Sequence, residues 1–311
     1  MRVLITGANG FIGRQLAQVL QSEHEKVVCC SRKADDAPNF VICPSLSGTA
    51  DWASLLQQID VVIHLAGKAH NLYESKKVAA RGFRQANVDG TLRLAQQALA
   101  ANVKRFIFIS SVGVNGLSSA GEAFSESSPA APHADYAKSK YEAEQGLEKL
   151  TSGTSMELVV IRPPLVYAAH APGNFKRLLK LVSSGCPLPF ASISNRRSMI
   201  ALENLADFIK LCVTHPQAAN NLFLISDGSD LSIGEIVSLL ATGMNKKARL
   251  FAMPAVCLLF GALLIGRKST YTQLCGSLLV DSSKSRSFLN WVPVISSQQA
   301  LLKAGQQFIM L

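Results

Sequence analysis

The sequence lacks most of the features that would send it to a membrane, a nucleic acid or a metal. Its longest charge-free apolar stretch, Phe251 to Gly266, has sixteen residues and is interrupted by Pro254 and Gly261, short of the ~20 that a spanning helix needs. That stretch reads as a buried or oligomer-facing helix, with a membrane-surface contact as the less favoured alternative. The seven cysteines (29, 30, 43, 186, 212, 257, 275) contain no C-x-x-C pair. Their odd number and scatter exclude a disulfide framework and a zinc ribbon, and suit reduced thiols in a cytoplasmic protein with no metal. No block of consecutive Lys or Arg is long enough for a nucleic-acid arm, although the formal net charge is +10. The excess reads either as a solvated basic surface or as a preference for anionic ligands or an anionic membrane face. There is no internal repeat and no low-complexity tract. The first apolar strand begins at Arg2, which leaves no room for a signal peptide.

What is present begins at once. Val3-Leu-Ile5 is a short buried-strand run, and Thr6-Gly-Ala-Asn-Gly-Phe-Ile-Gly13 turns directly into a helical pattern carried by Phe11, Ile12, Leu16, Val19 and Leu20. Strand, glycine-rich turn and helix together form a phosphate cradle. One glycine permits the turn, one lets backbone N–H groups approach a pyrophosphate, and one lets helix pack on strand. The spacing is G-x-x-G-x-x-G (Gly7, Gly10, Gly13), wider than the common dinucleotide fingerprint.

Strands and helices then alternate: strands at 26–31, 40–43, 61–65 and 105–110, with helices at 52–58 and 78–101. A loop over 116–135, a helix over 136–149 and a strand over 158–161 follow. This rhythm predicts an α/β fold, a Rossmann-type doubly wound parallel sheet. Past Arg162-Pro-Pro the rhythm breaks, so residues 1–165 form the dinucleotide-binding domain and 166–311 a smaller C-terminal α/β substrate lobe, with exchange of a strand or helix between them allowed. At the end of the second strand, Ser31-Arg32-Lys33 carries cations where an acid would bind the free ribose hydroxyl of NAD. This favours NADP(H) over NAD.

Tyr136 and Lys140 share one helix face, a turn apart. A phenol titrates near ~10, and a neighbouring cation would bring it toward the range useful for general acid–base work. Ser110 and Ser111 end the fifth strand at the carboxyl edge of the sheet, where ligands of such folds bind. Asn87 sits inside a helix, a mildly unfavourable place for Asn, and is a candidate polar link to the site.

The motifs occur in the order Thr6–Gly13, His64-Leu-Ala-Gly67, Asn87-Val-Asp-Gly-Thr91, Phe106–Ser111, Tyr136-x-x-x-Lys140 and Arg162-Pro-Pro-Leu-Val-Tyr167, with Asp281-x-x-Lys284 and Leu289-Asn-Trp291 closing the chain. In this order they resemble the extended short-chain dehydrogenase/reductases of the nucleotide-sugar epimerase/dehydratase group. The resemblance implies a cofactor site of Gly7, Gly10, Phe11, Ile12, Gly13, Leu65, Ala66 and Gly67, with Tyr136 and Lys140 reaching it. It further implies that Ser111 orients the sugar, Tyr136 exchanges the proton, Lys140 holds the nicotinamide ribose and depresses the Tyr136 pKa, and Asn87 completes a tetrad. Asn174 and Phe175 would contact substrate, Leu188 and Phe190 would grip the nucleotide base, and Arg197 would bind phosphate. It also implies a homodimer through helices 78–101 and 136–149.

Two positions depart from the family pattern, Ser45 where an acid is common after the third strand and Ala168 where a glycine often follows Tyr167. Val112-Gly113 after Ser111 lacks the Asp-Glu pair of 4,6-dehydratases. His170 has no cysteine placed beside it for epimerisation at C3 and C5. Two reactions remain, both at C4 of a nucleotide sugar, UDP-linked for preference. An NADPH-dependent 4-keto reductase is placed slightly ahead, on Arg32 and Lys33, and a 4-epimerase with tightly bound NAD is the alternative. A non-catalytic NADP-sensing regulator is the remote third.

Overall fold

The computed structural model describes residues 1–22, 26–32, 40–68, 76–119, 121–264, 266 and 268–311. The first half alternates β1 (Val3–Thr6), α1 (Phe11–Gln21), β2 (Val27–Ser31), β3 (Phe40–Ile42), β4 (Val61–His64), α2 (Lys76–Phe83), α3 (Gly90–Ala100), β5 (Arg105–Ile109), α4 (Asp135–Thr151) and β6 (Glu157–Arg162). The second half holds β7 (Leu165–Tyr167), α5 (Gly173–Ser183), β8 (Met199–Ala201), α6 (Leu202–Thr214), β9 (Asn221–Leu224), α7 (Ile233–Gly243), α8 (Ala255–Leu264), α9 (Lys268–Cys275), α10 (Ser283–Leu289) and α11 (Ser297–Phe308).

Seven strands form one parallel sheet in the order β3-β2-β1-β4-β5-β6-β9. β1, β4 and β5 are buried along their whole length, as their continuous Val, Ile, Leu and Phe runs require of strands covered on both faces. Chain order reverses between β1 and β4. The crevice beyond the carboxyl ends of these two strands is where open α/β sheets take their ligands. One face of the sheet packs on α1 and α6 through Leu16, Leu20, Phe208 and Ile209. The other packs on the helices after β4 and β5 through Leu94, Ala98 and Leu147.

The chain crosses between the lobes. β9 completes the first sheet next to β6, and α6 packs beside α1. The smaller lobe is built on the β7–β8 pair, α5, α7 and α11, around Tyr167, Phe175, Ile236, Leu240 and Leu301. The loop from Gly116 to Asp135 ties the lobes together: Phe124 N–H donates to Leu279 O at 2.8 Å, and Asp281 N–H donates to Phe124 O at 2.8 Å.

Three local expectations change. Residues 53–58 form turns rather than a full helix: Leu55 and Leu56 N–H both donate to Trp52 O, at 3.0 and 3.1 Å, and Gln58 at φ +59° ends the segment. The helix expected over 78–101 is continuous to Ala100 but carries a π-helical turn at Arg84–Asp89. Finally, α8 is not buried: none of its residues is, and Val256 and Leu264 are 75% and 73% exposed. An all-apolar helix is ordinarily buried; here Leu258 packs against the core of the smaller lobe and most of the remaining apolar surface is uncovered. No helix among the described residues is long and apolar enough to cross a membrane.

Candidate active site

The glycine turn is shaped by contact. Gly7 has φ +71°, and a Cβ there would lie 2.8 Å from Ala66 N; a Cβ on Gly13 would meet Gly7 O at 2.2 Å. Only hydrogen fits at either place. Gly10, at the N-cap of α1, offers no side chain to the helix end, and the first turn of α1 carries no acid. The helix therefore presents unneutralised N–H groups to the crevice, a ready anion site. A Cβ-free turn against β4, ending in an uncapped helix N-terminus, fits the pyrophosphate of a dinucleotide.

A cleft of about 310 Å³ joins this cradle to the catalytic candidates: Gly7, Gly10, Phe11, Ile12, Gly13 and Leu65 line one part, and Ser110, Ser111, Tyr136 and Lys140 the other. Ser111 Oγ accepts from Gly113 N–H at 3.1 Å, which fixes its rotamer at the end of β5. Ser110 Oγ is buried and has no partner among the described residues. Lys140 is buried, donates to Ile109 O at 2.8 Å, and its Nζ lies 4.5 Å from the Phe108 ring centre and 6.0 Å from that of Tyr136. Burial lowers its pKa to about 8, partly opposed by Glu144 one turn along. The expectation that Lys140 depresses Tyr136 is corrected: burial dominates and pushes the phenol up to about 12. The phenol is therefore firmly protonated at neutral pH in this state.

Asn87 is the polar link. Its Oδ1 accepts from Lys68 N–H at 2.7 Å, while its Nδ2 donates to Lys68 O at 3.1 Å and to Ser139 Oγ at 3.0 Å. Ser139 in turn donates to Tyr136 O at 2.7 Å. The π-helical turn thus pins the segment after β4 to the helix that carries Tyr136. Ser139, inside the Tyr-x-x-x-Lys span, was missed by sequence reasoning; only its small size between the two named residues hinted at it. His64, Thr6 and Thr91, quoted in the motifs without a role, form a second set: Thr6 Oγ1 and His64 Nδ1 are 2.7 Å apart, and His64 Nε2 and Thr91 Oγ1 are 2.9 Å apart. Burial drives the His64 pKa down to about 3, so the ring is a neutral strut. Ala66 N–H donates to Thr6 Oγ1 at 3.3 Å, which seats Ala66 and Gly67 beside the glycine turn.

Ser31 is buried at the end of β2, Arg32 after it is exposed, and Lys33 lies outside the described residues. The C-terminal candidates are not in the cleft. Phe175, Leu188 and Phe190 are buried in the core of the smaller lobe. Asn174, exposed at the start of α5, donates to Gln273 Oε1. Arg197 is half-buried, donates to Gly276 O at 2.8 Å, and pairs with no carboxylate among the described residues; burial lowers its pKa. Arg196 is exposed and pairs with Glu235 at 3.4 Å. Of the two, Arg197 has the uncompensated charge that an anionic group would satisfy. His170 lies edge-on to Phe11, a lining residue of the cleft, with ring centres 5.2 Å apart.

Comparison with known proteins agrees with this geometry. Residues 3–226 match the family model described as the NAD dependent epimerase/dehydratase family. A Vibrio cholerae UDP-glucose 4-epimerase is 37% identical over 99% of this chain and 95% of its own. An Escherichia coli O157:H7 N-acetyl-alpha-D-glucosaminyl-diphospho-ditrans,octacis-undecaprenol 4-epimerase is 26% identical over 81% of this chain and 75% of its own. The crystal structure of a Bacillus cereus UDP-glucuronic acid 4-epimerase in complex with NAD superposes with a TM-score of 0.79, covering 100% of this chain and 99% of that one at 21% identity.

Proposed function

Because the chain belongs to the NAD dependent epimerase/dehydratase family, we propose that it is a 4-epimerase of a nucleotide sugar that retains NAD in the crevice between β1 and β4. The observation that carries this reading is the meeting of Ser111, Tyr136 and Lys140 with the Gly7–Gly13 turn in one cleft. Similarity over nearly the full length to a UDP-glucose 4-epimerase supports it. The keto-reductase reading, placed first on Arg32 and Lys33, takes second place to the 4-epimerase because the relative similar over nearly the whole chain is a 4-epimerase.

In this mechanism Gly7, Gly10 and Gly13 hold the pyrophosphate, and Leu65, Ala66 and Gly67 lie along the nucleoside. When bound, NAD supplies a hydride acceptor at C4 that returns the hydride to either face. Ser111 orients the C4 hydroxyl. Tyr136 first loses its own proton to solvent, takes the C4 hydroxyl proton as phenolate while the ketone forms, and gives that proton back on the return. The protonated phenol of this structure is thus the form that donates to the ketone. Lys140, charged below about 8, holds the nicotinamide ribose beside Tyr136. Asn87 and Ser139 position this helix. Arg197, with Asn174 nearby on the same lobe, holds the diphosphate. A homodimer through α2, α3 and α4 belongs to the same reading.

The test is direct. The purified protein is denatured to identify bound nicotinamide, then given UDP-hexose without added cofactor. Stoichiometric NAD and interconversion at C4 are expected. A requirement for added NADPH, with turnover of a 4-keto sugar only, would return the reductase to first place. A second reading, in which the diphosphate carries a polyprenol instead of a nucleoside, is favoured by one observation: the exposed apolar α8 packs on α9, whose Gln273 meets Asn174 and which is followed by Gly276, the partner of Arg197. The same assay run on both substrates separates the two.

A further inference from the structure

We propose that the α8–α9 hairpin is a docking element for an anionic lipid bilayer surface, an interaction that goes beyond the reaction assigned above. α8 is apolar all round and exposes Val256, Phe260, Leu263 and Leu264. Phe251, just before it, is exposed as well. Ten residues make a helix of about 15 Å, half the hydrocarbon thickness, so α8 suits a position within the interface and not a span. A contiguous exposed apolar element of this kind marks an interaction site.

The surrounding charge selects the occupant. Residues 163–202 and 236–280 contain no Asp or Glu, and each segment carries five Lys or Arg. The chain's 21 acids all lie elsewhere. Lys246, Lys247 and Arg249 are exposed on the strand-like approach to α8. Lys176 and Lys180 are exposed on α5, whose carboxyl end is held to the same approach by Lys246 donating to Ser183 O. A cationic rim around an apolar helix is complementary to acidic headgroups over acyl chains. A second copy of this chain would bring the same acid-free surface and its cations against their like.

The hairpin is fixed to the lobe by polar contacts. Tyr271 donates to Ala255 O at 3.3 Å across the hairpin. Asn195 Nδ2 donates to Leu274 O at 3.0 Å, and Met253 N–H to Ser192 Oγ at 3.2 Å. Because Asn174 meets Gln273 and Arg197 meets Gly276, docking holds the diphosphate-binding elements next to the bilayer.

Flotation of the full protein with phosphatidylcholine vesicles, with or without phosphatidylglycerol, tests this. Binding to the phosphatidylglycerol vesicles is expected, weakened by about tenfold or more when the anionic lipid is omitted or salt is raised. The surface variant V256D/F260D/L264D should lose binding while its NAD content and its turnover of a water-soluble substrate stay at wild-type levels. K246E/K247E/R249E should bind neutral and anionic vesicles alike. Three results would overturn the proposal: wild type left unbound at low salt, unchanged binding by the triple Asp variant, or a wild-type dimer in sedimentation that the variant converts to monomer. Vesicle binding is read without turnover, so its failure leaves the epimerase reading intact, and failure of that reading leaves the docking surface intact.

Discussion

The crevice between β1 and β4 and the face around α8 are built from opposite materials. The crevice is made of backbone: two glycines that admit no Cβ, an uncapped helix end, and side chains such as His64 and Asn87 that touch protein rather than solvent. Around α8, apolar side chains reach water and the neighbouring segments hold cations without acids. The glycine turn is intolerant of change because a Cβ at Gly7 or Gly13 would meet backbone atoms within 3 Å. The outer face should accept nearly any substitution without loss of fold.

That contrast can be broken most severely at Tyr136. Tyr136→Phe removes one hydroxyl, and kcat should fall by about 10³, within the range of general acid–base catalysis; bound NAD, measured after denaturation, should remain. Gly13→Ala places a methyl 2.2 Å from Gly7 O. Overpacking of about 1–3 kcal/mol there should weaken NAD binding by roughly ten- to a hundredfold, seen in titration by protein fluorescence. Lys140 offers a pH test. Its native pKa is about 8 against 10.5 when unfolded, so between these values the unfolded chain holds the extra proton and stability rises with pH. Wild type should gain about 3 kcal/mol over that window relative to Lys140→Met in urea unfolding. At the outer lobe, Arg197→Ala should raise KM about tenfold or more with kcat little changed, the effect of losing a charge-assisted contact of about 1.5–3 kcal/mol. Arg196→Ala, whose partner is the exposed Glu235, should change KM by less than about twofold. Equal effects from the two arginines would erase the distinction between them.

The same division governs what the sequence made legible. The glycine turn, the strand ends and Tyr136–Lys140 are local patterns whose spacing is the geometry, and the cleft brings them together. The pKa of Tyr136 was not legible, because burial depends on Phe83 and other groups distant in the chain; the ring centres of Phe83 and Tyr136 are 6.1 Å apart. The roles of Ser139 and Thr91 were hidden because small hydroxyls carry no periodic signature. Residues 53–58 read as helix from composition, but Gln58 adopts φ +59° and ends the turn begun at Trp52. The exposure of α8 was unreadable in principle, since a uniformly apolar run looks the same buried or bare.

The place of β9 bears on how the molecule is made. Until residues 221–224 emerge during synthesis, β6 offers an open sheet edge with its backbone groups unpaired, a template for pairing with another chain. α6, which covers one face of the same sheet, also comes late. A nascent chain stopped between residues 165 and 220 would therefore hold its cofactor turn ready while being at its most prone to aggregate, and early NAD capture would not relieve that edge.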